Sequence, residues 1–88
     1  MTTALSAEEV LAVIAGAVAT VLEIDPSMVT RELTFKQLQA DSLALVEIVE
    51  LLEEELGARG RPGFVIDDAD LDELLTVGDA LTYAMGRL

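Results

Sequence analysis

The chain has no cysteine, no histidine and no tryptophan. The first two absences remove thiol nucleophiles, disulfide frameworks, imidazole bases and the usual zinc ligand sets together. Three aromatic residues, Phe35, Phe64 and Tyr83, are too few for a base-stacking surface. Cations are scarce as well. Five Lys and Arg stand against seventeen Asp and Glu, for a net charge of −12. Such a chain repels a phosphate backbone, so nucleic acid is excluded as a partner, and anionic membranes are excluded on the same ground. A basic protein surface is the partner that this charge favours. The longest apolar stretch, Val10 to Leu22, is too short to span a bilayer and follows Glu8 and Glu9 rather than a basic segment. A cytoplasmic address is therefore expected.

What remains is a short, hydrophobic chain. Its 88 residues are 52% apolar with a mean hydropathy of +0.49, too hydrophobic for disorder despite the charge. A chain of this length buries roughly 60–65% of the surface that its unfolded form exposes. That supports one core and a single domain over residues 1–88, without room for a deep enclosed active site. A catalytic role is not expected.

The spacing of apolar residues predicts an all-α bundle of three main helices plus one short helix, with a long loop between the first two. Helix 1 is expected at about 7–22. Ser6 and Glu9 form a capping box ahead of Val10, Ile14, Val18 and Val21. Asp25-Pro26 is expected to stop it. Residues 26–40 lack a sustained period and read as a long loop with at most one helical turn, pinned by Leu33, Phe35 and Leu38. Helix 2 is expected at about 42–56, capped by Asp41 or Ser42 and ended by Gly57. Leu45, Ile48, Val49, Leu52 and Leu56 form its inner stripe. Glu47, Glu50, Glu53 and Glu54 form an acidic stripe, with Leu43 and Val46 beside it at the N-terminal end. Phe64-Val65-Ile66 is expected to plug the core. A short helix from Asp67 or Asp68 to Leu74 should turn Leu71, Leu74 and Leu75 inward. Thr76 with Asp79 resembles a second capping box, opening a last helix at about 77–87.

Asp68, Asp70 and Asp72 alternate like the start of a calcium loop. Glu73 stands where that loop needs glycine, and Asp79 where it needs a bidentate Glu, so no metal site is expected.

The most informative stretch is Phe35 to Glu47. Asp41-Ser42-Leu43, after a loop and at the head of an acidic amphipathic helix, resembles the phosphopantetheine attachment motif of acyl carrier proteins. The resemblance runs over almost the whole chain. It includes the Asp25-Pro26 turn, the Phe35 and Leu38 anchors, the Glu53-Glu54 pair and the Thr76-Val77-Gly78-Asp79 opening of the last helix. Asp-Ser-Leu-Ala-Leu at 41–45, with Phe35 seven residues before the serine, is most similar to discrete carriers of bacterial polyketide pathways. The resemblance implies phosphopantetheine on Ser42, flanked by Asp41 and Leu43, with cargo carried as a thioester for natural-product synthesis. It implies docking through Leu43, Val46, Glu47, Glu50, Glu53 and Glu54 onto basic patches of a phosphopantetheinyl transferase, an acyltransferase, a ketosynthase and tailoring enzymes. The carrier itself is expected to be monomeric.

Two departures stand out. Gln39 occupies a position where the family usually has glycine, so the loop before the serine is expected to take its own path. Arg59 and Arg61 break the acidic surface in a longer loop from Ala58 to Phe64. The alternatives within the class are a fatty-acid carrier, opposed by Ala44, and a peptidyl or aminoacyl carrier, opposed by the strong negative charge. Outside the class stands a helical protein–protein adaptor without the prosthetic arm. A core of Ala, Val, Leu and Met with few aromatics is also expected to admit apolar cargo between helix 2 and the C-terminal pair.

Overall fold

The structure, a computed structural model, describes residues 5–88. Helix α1 spans Ala7–Leu22, α2 Ser42–Ala58 and α3 Val77–Arg87. Two 3-10 segments, Pro26–Met28 and Asp68–Glu73, lie in the connections. The expected all-α bundle of three main helices and one short helix is present, with the short one wound as 3-10. No described helix is long and apolar enough to cross a membrane.

α1 is the helix against which both α2 and α3 pack. Its small and β-branched residues allow that: Val10, Val13, Ile14, Ala15, Ala17, Val18 and Ala19 are all buried. The capping box at its start is formed in both directions, Glu9 N–H to Ser6 Oγ at 3.1 Å and Ser6 N–H to Glu9 Oε1 at 3.2 Å. Its end falls at Leu22 as expected, but the stop is not made by Asp25-Pro26. Glu23 adopts a left-handed conformation (φ 57°), and its N–H closes on the Ala19 carbonyl. The helix therefore stops two residues ahead of Asp25-Pro26. Asp25 instead caps the first 3-10 segment, accepting from Ser27 N–H at 2.9 Å.

The long loop is tied down rather than loose. Val29 and Phe35 are buried, and Leu33 and Leu38 pack partly against the core. Residues 31–35 run antiparallel to 75–78. Phe35 N–H donates to the Leu75 carbonyl (3.0 Å), Val77 N–H to Leu33 (2.9 Å) and Gly78 N–H to Arg31 (2.9 Å). This clamp draws the start of α3 to the end of the loop, where α2 begins. α2 and α3 consequently start at the same end of the bundle. Gly78 eases the approach, because a Cβ there would lie a tight 3.1 Å from the Arg31 carbonyl oxygen. Helix propensity alone would favour alanine by up to about 1 kcal/mol.

α2 runs two residues beyond its expected end. Gly57 lies inside the helix, and Gly60 (φ 94°) supplies the left-handed terminus. Arg61 N–H reaches the Leu56 carbonyl and Gly60 N–H that of Gly57, the paired bonds of a Schellman motif. The returning chain then buries Phe64 and Ile66 and leaves Val65 outside.

Leu71 in the Asp68–Glu73 segment and Leu74 just after it face inward, but Leu75 is 65% exposed. The reason is geometric. The 3-10 turn ends at Glu73, and Leu74 leaves it in a non-helical conformation (φ −87°, ψ 82°), so the chain no longer follows a helical period when it reaches Leu75. This segment is joined to α3 by Asp70, whose Oδ2 accepts from Tyr83 Oη at 2.6 Å and from Arg87 Nη2 at 3.4 Å. The Arg87 guanidinium also lies 4.8 Å from the Tyr83 ring centre. Among the described residues no acidic group is arranged to hold a metal ion.

Two expected outcomes follow from these contacts. Gly78→Val should lower stability by roughly 1–3 kcal/mol through forced separation of the clamp, read as a drop in the urea midpoint. The bond to Asp70 holds the Tyr83 phenol above its ordinary pKa. Its stabilisation is thus present below the unfolded value near 10 and fades as pH rises through the higher folded value. Tyr83 is the sole tyrosine, so phenolate absorbance should show a midpoint above that of the unfolded chain, falling back in Asp70→Asn.

Candidate functional site

The start of α2 follows directly on a tightly closed turn. Thr34 and Gln37 exchange bonds, Gln37 N–H to Thr34 Oγ1 and Thr34 N–H to Gln37 Oε1, both at 2.9 Å. The turn that they open ends with Gln39 N–H on Lys36 and Ala40 N–H on Phe35. That is again a Schellman closure, and Gln39 occupies its left-handed position (φ 60°). A glycine adopts this conformation without the Cβ penalty, which is about 1–2 kcal/mol for other residues. The departure at Gln39 therefore adds local strain just ahead of the serine.

Asp41, not Ser42, is the N-cap. Its Oδ1 accepts from Ala44 N–H at 2.8 Å, and its carbonyl accepts from Leu45 N–H at 2.9 Å. Ser42 is then the first helical residue, and it is exposed. No bond from its hydroxyl is present among the described residues, and the amides of Ser42 and Leu43 are also without a protein acceptor there. Free first-turn amides at the positive end of a helix favour a bound anion.

Leu43 is 68% exposed next to this serine. Glu47, Glu50 and Glu54 follow it at helical spacing, all exposed, while Val46 is half-buried. Glu53 stands apart from these three. It is half-buried, and its Oε2 accepts from Ile66 N–H at 2.8 Å, so it fastens the returning chain to α2. The sequence missed one residue at this end, the exposed Leu75. Its carbonyl is bound to Phe35, whose own carbonyl takes Ala40 N–H just before Asp41. An open recess of about 370 Å³ lies elsewhere, between α1 and α2, lined by Ala12, Gly16, Thr20, Leu51, Glu55 and Arg59 among others.

Residues 12–84 match the family of the phosphopantetheine attachment site. The chain belongs to the acyl carrier protein family. It is 37% identical to the acyl carrier protein of Thermotoga maritima over 84 residues, 94% of this chain and 96% of that one. It is 36% identical over 80 residues to that of Lactobacillus acidophilus, spanning 90% and 92% of the two chains. It is also 41% identical to the meromycolate extension acyl carrier protein of Mycobacterium leprae over 81 residues, 91% of this chain but 65% of that longer protein.

An acyl carrier protein is a non-catalytic carrier whose prosthetic group is a covalently attached phosphopantetheine. The exposed hydroxyl and free amides at the head of α2 suit the phosphodiester of that group. Asp41 alone caps the helix, which sequence leaves open between Asp41 and Ser42. Asp41→Ala should cost about 1 kcal/mol as a lost cap. Ser42→Ala should stay within about 0.5 kcal/mol of the parent. Chemical denaturation of the two variants reads this difference directly.

Proposed function

We propose that this carrier takes phosphopantetheine on Ser42 and delivers acyl or polyketide intermediates to the enzymes of a natural-product pathway. The observation that carries the reading is the division of labour at α2. Asp41 holds the helix end, and the exposed Ser42 hydroxyl is left without a structural task. In the attachment step Ser42 Oγ attacks the pantetheine-side phosphorus of coenzyme A. The phosphorus–oxygen bond to the adenosine bisphosphate breaks, and the hydroxyl proton passes to a base of the transferase. The bound group supplies the thiol that this cysteine-free chain lacks, with cargo held as a thioester. The chain's own residues position and present it. Asp41 fixes the turn, and the free amides of Ser42 and Leu43 would be the donors available to the phosphodiester.

Leu43, Val46, Glu47, Glu50 and Glu54 form the docking face for transferase and synthase enzymes with basic patches. Glu53 contributes its charge to that face while fastening Ile66. The polyketide assignment rests on Asp-Ser-Leu-Ala-Leu at 41–45 with Phe35 upstream. A long-chain fatty-acyl role is the second reading, favoured by the 41% identity to a meromycolate extension carrier. The cargo found on protein isolated from its source distinguishes the two.

The test of the attachment site is incubation with coenzyme A and a broad-specificity phosphopantetheinyl transferase, followed by intact mass. The parent should gain one phosphopantetheine and Ser42→Ala none, with both giving the same helical circular dichroism. An arm found on the Ala variant refutes the assignment. A parent that stays unmodified leaves the adaptor reading in place.

A further inference from the structure

Leu74 and Leu75 are chemically identical neighbours with opposite fates. Leu74 is 5% exposed and completes the core, whereas Leu75 is 65% exposed. Leu75 is not on a loose segment. Its N–H donates to Glu73 O at 3.1 Å and Asp79 Oδ2 at 3.2 Å, and its carbonyl accepts from Phe35 N–H at 3.0 Å. An apolar side chain is thus held in water by a backbone fixed on both sides. It adds little to the core, so the fold alone gives no reason for leucine there.

Its location supplies one. Two hydrogen-bonded steps, Leu75 to Phe35 and Phe35 to Ala40, connect it to the residues just before Ser42. The shared start of α2 and α3 puts Leu75 and the exposed Leu43 at the same end as the serine. An enzyme that reacts with Ser42 Oγ must approach that end, and a specific interface covers about 800 Å² per partner, well beyond one helix turn.

We propose that Leu75 is a specificity-determining contact for the phosphopantetheinyl transferase, forming with Leu43 a two-point apolar grip beside Ser42. This rests on the reading of Ser42 as the attachment site. The matching partner surface is an apolar recess with a basic rim. The recess takes the two leucines, and the rim faces Glu47, Glu50 and Glu54 in a chain of net charge −12. Because the Leu75 backbone is already fixed, docking orders little beyond one side chain.

The test uses the full chain, coenzyme A and a broad-specificity phosphopantetheinyl transferase, with transfer followed by intact mass. Leu75→Ser should raise KM for the carrier about fivefold or more, as loss of a buried interface anchor does. It should leave kcat and the salt dependence of kcat/KM unchanged. Leu75→Met should restore most of the KM. Glu50→Lys should instead flatten the salt dependence. Met85→Ser, near the far end of α3, should leave KM as in the parent. Circular dichroism confirms that each variant remains helical. A KM for Leu75→Ser within twofold of the parent, alongside a raised KM for Leu43→Ser, overturns the proposal and confines the apolar contact to α2. Failure of the parent to accept the arm overturns the attachment reading and this proposal together, and is distinguished by the absence of any mass gain.

Discussion

Three backbone hydrogen bonds between residues 31–35 and 75–78 determine where the functional end of this carrier lies. The loop from Glu23 to Asp41 is long, and nothing in its length alone says where α2 should begin. Burial of Val29 and Phe35 brings it to the core, but apolar contacts are non-directional. The directional part is the short antiparallel pairing, in which Gly78 leaves room for the close Arg31 carbonyl. Once it forms, the turn at 35–39 has a fixed base and α2 a fixed origin. The position of Ser42 is therefore set by the start of α3 as much as by its own helix.

The same economy appears at the chain's turns. Gln39 and Glu23 both take the left-handed conformation without being glycine. Each closes a helical turn whose geometry leaves no other backbone choice, so the surroundings override the local preference. At Gln39 the strain sits two residues from the N-cap that holds the site. Small helical domains have few contacts with which to offset such strain. Here the buried face of α1, shared by both other helices, is the main counterweight.

Much of this architecture is legible in the sequence where two signals coincide. Ser6 with Glu9 and Thr76 with Asp79 combine a cap with the onset of apolar period, and both helices begin where they should. The stretch from Phe35 to Leu43 carries the family resemblance that the match over residues 12–84 bears out. Legibility fails where the signal is a backbone angle or the point at which a short helix ends. Gly57 and Gly60 are equivalent letters, and only the left-handed angle at Gly60 shows which one ends α2. Leu75 falls on an inward stripe only if the short helix continues to it, and the helix ends at Glu73 with Leu74 turned out of helical conformation. Asp41 and Ser42 are comparable caps in peptide terms, and the choice between them is made by the turn that precedes them. Glu53 reads as one more acid of the stripe until the returning chain brings Ile66 N–H to it.

The common origin of α2 and α3 has an electrostatic consequence. Both helices direct the positive ends of their dipoles toward the same pole of the molecule. Seventeen carboxylates spread over so small a body make most of the remaining surface repellent to an anion. For a phosphodiester at Ser42 the favourable field is at that pole, and the Glu47, Glu50 and Glu54 flank below it is uphill. An anionic linkage rooted at that pole would be held away from the acidic flank of α2, while a neutral chain beyond it would meet no such repulsion.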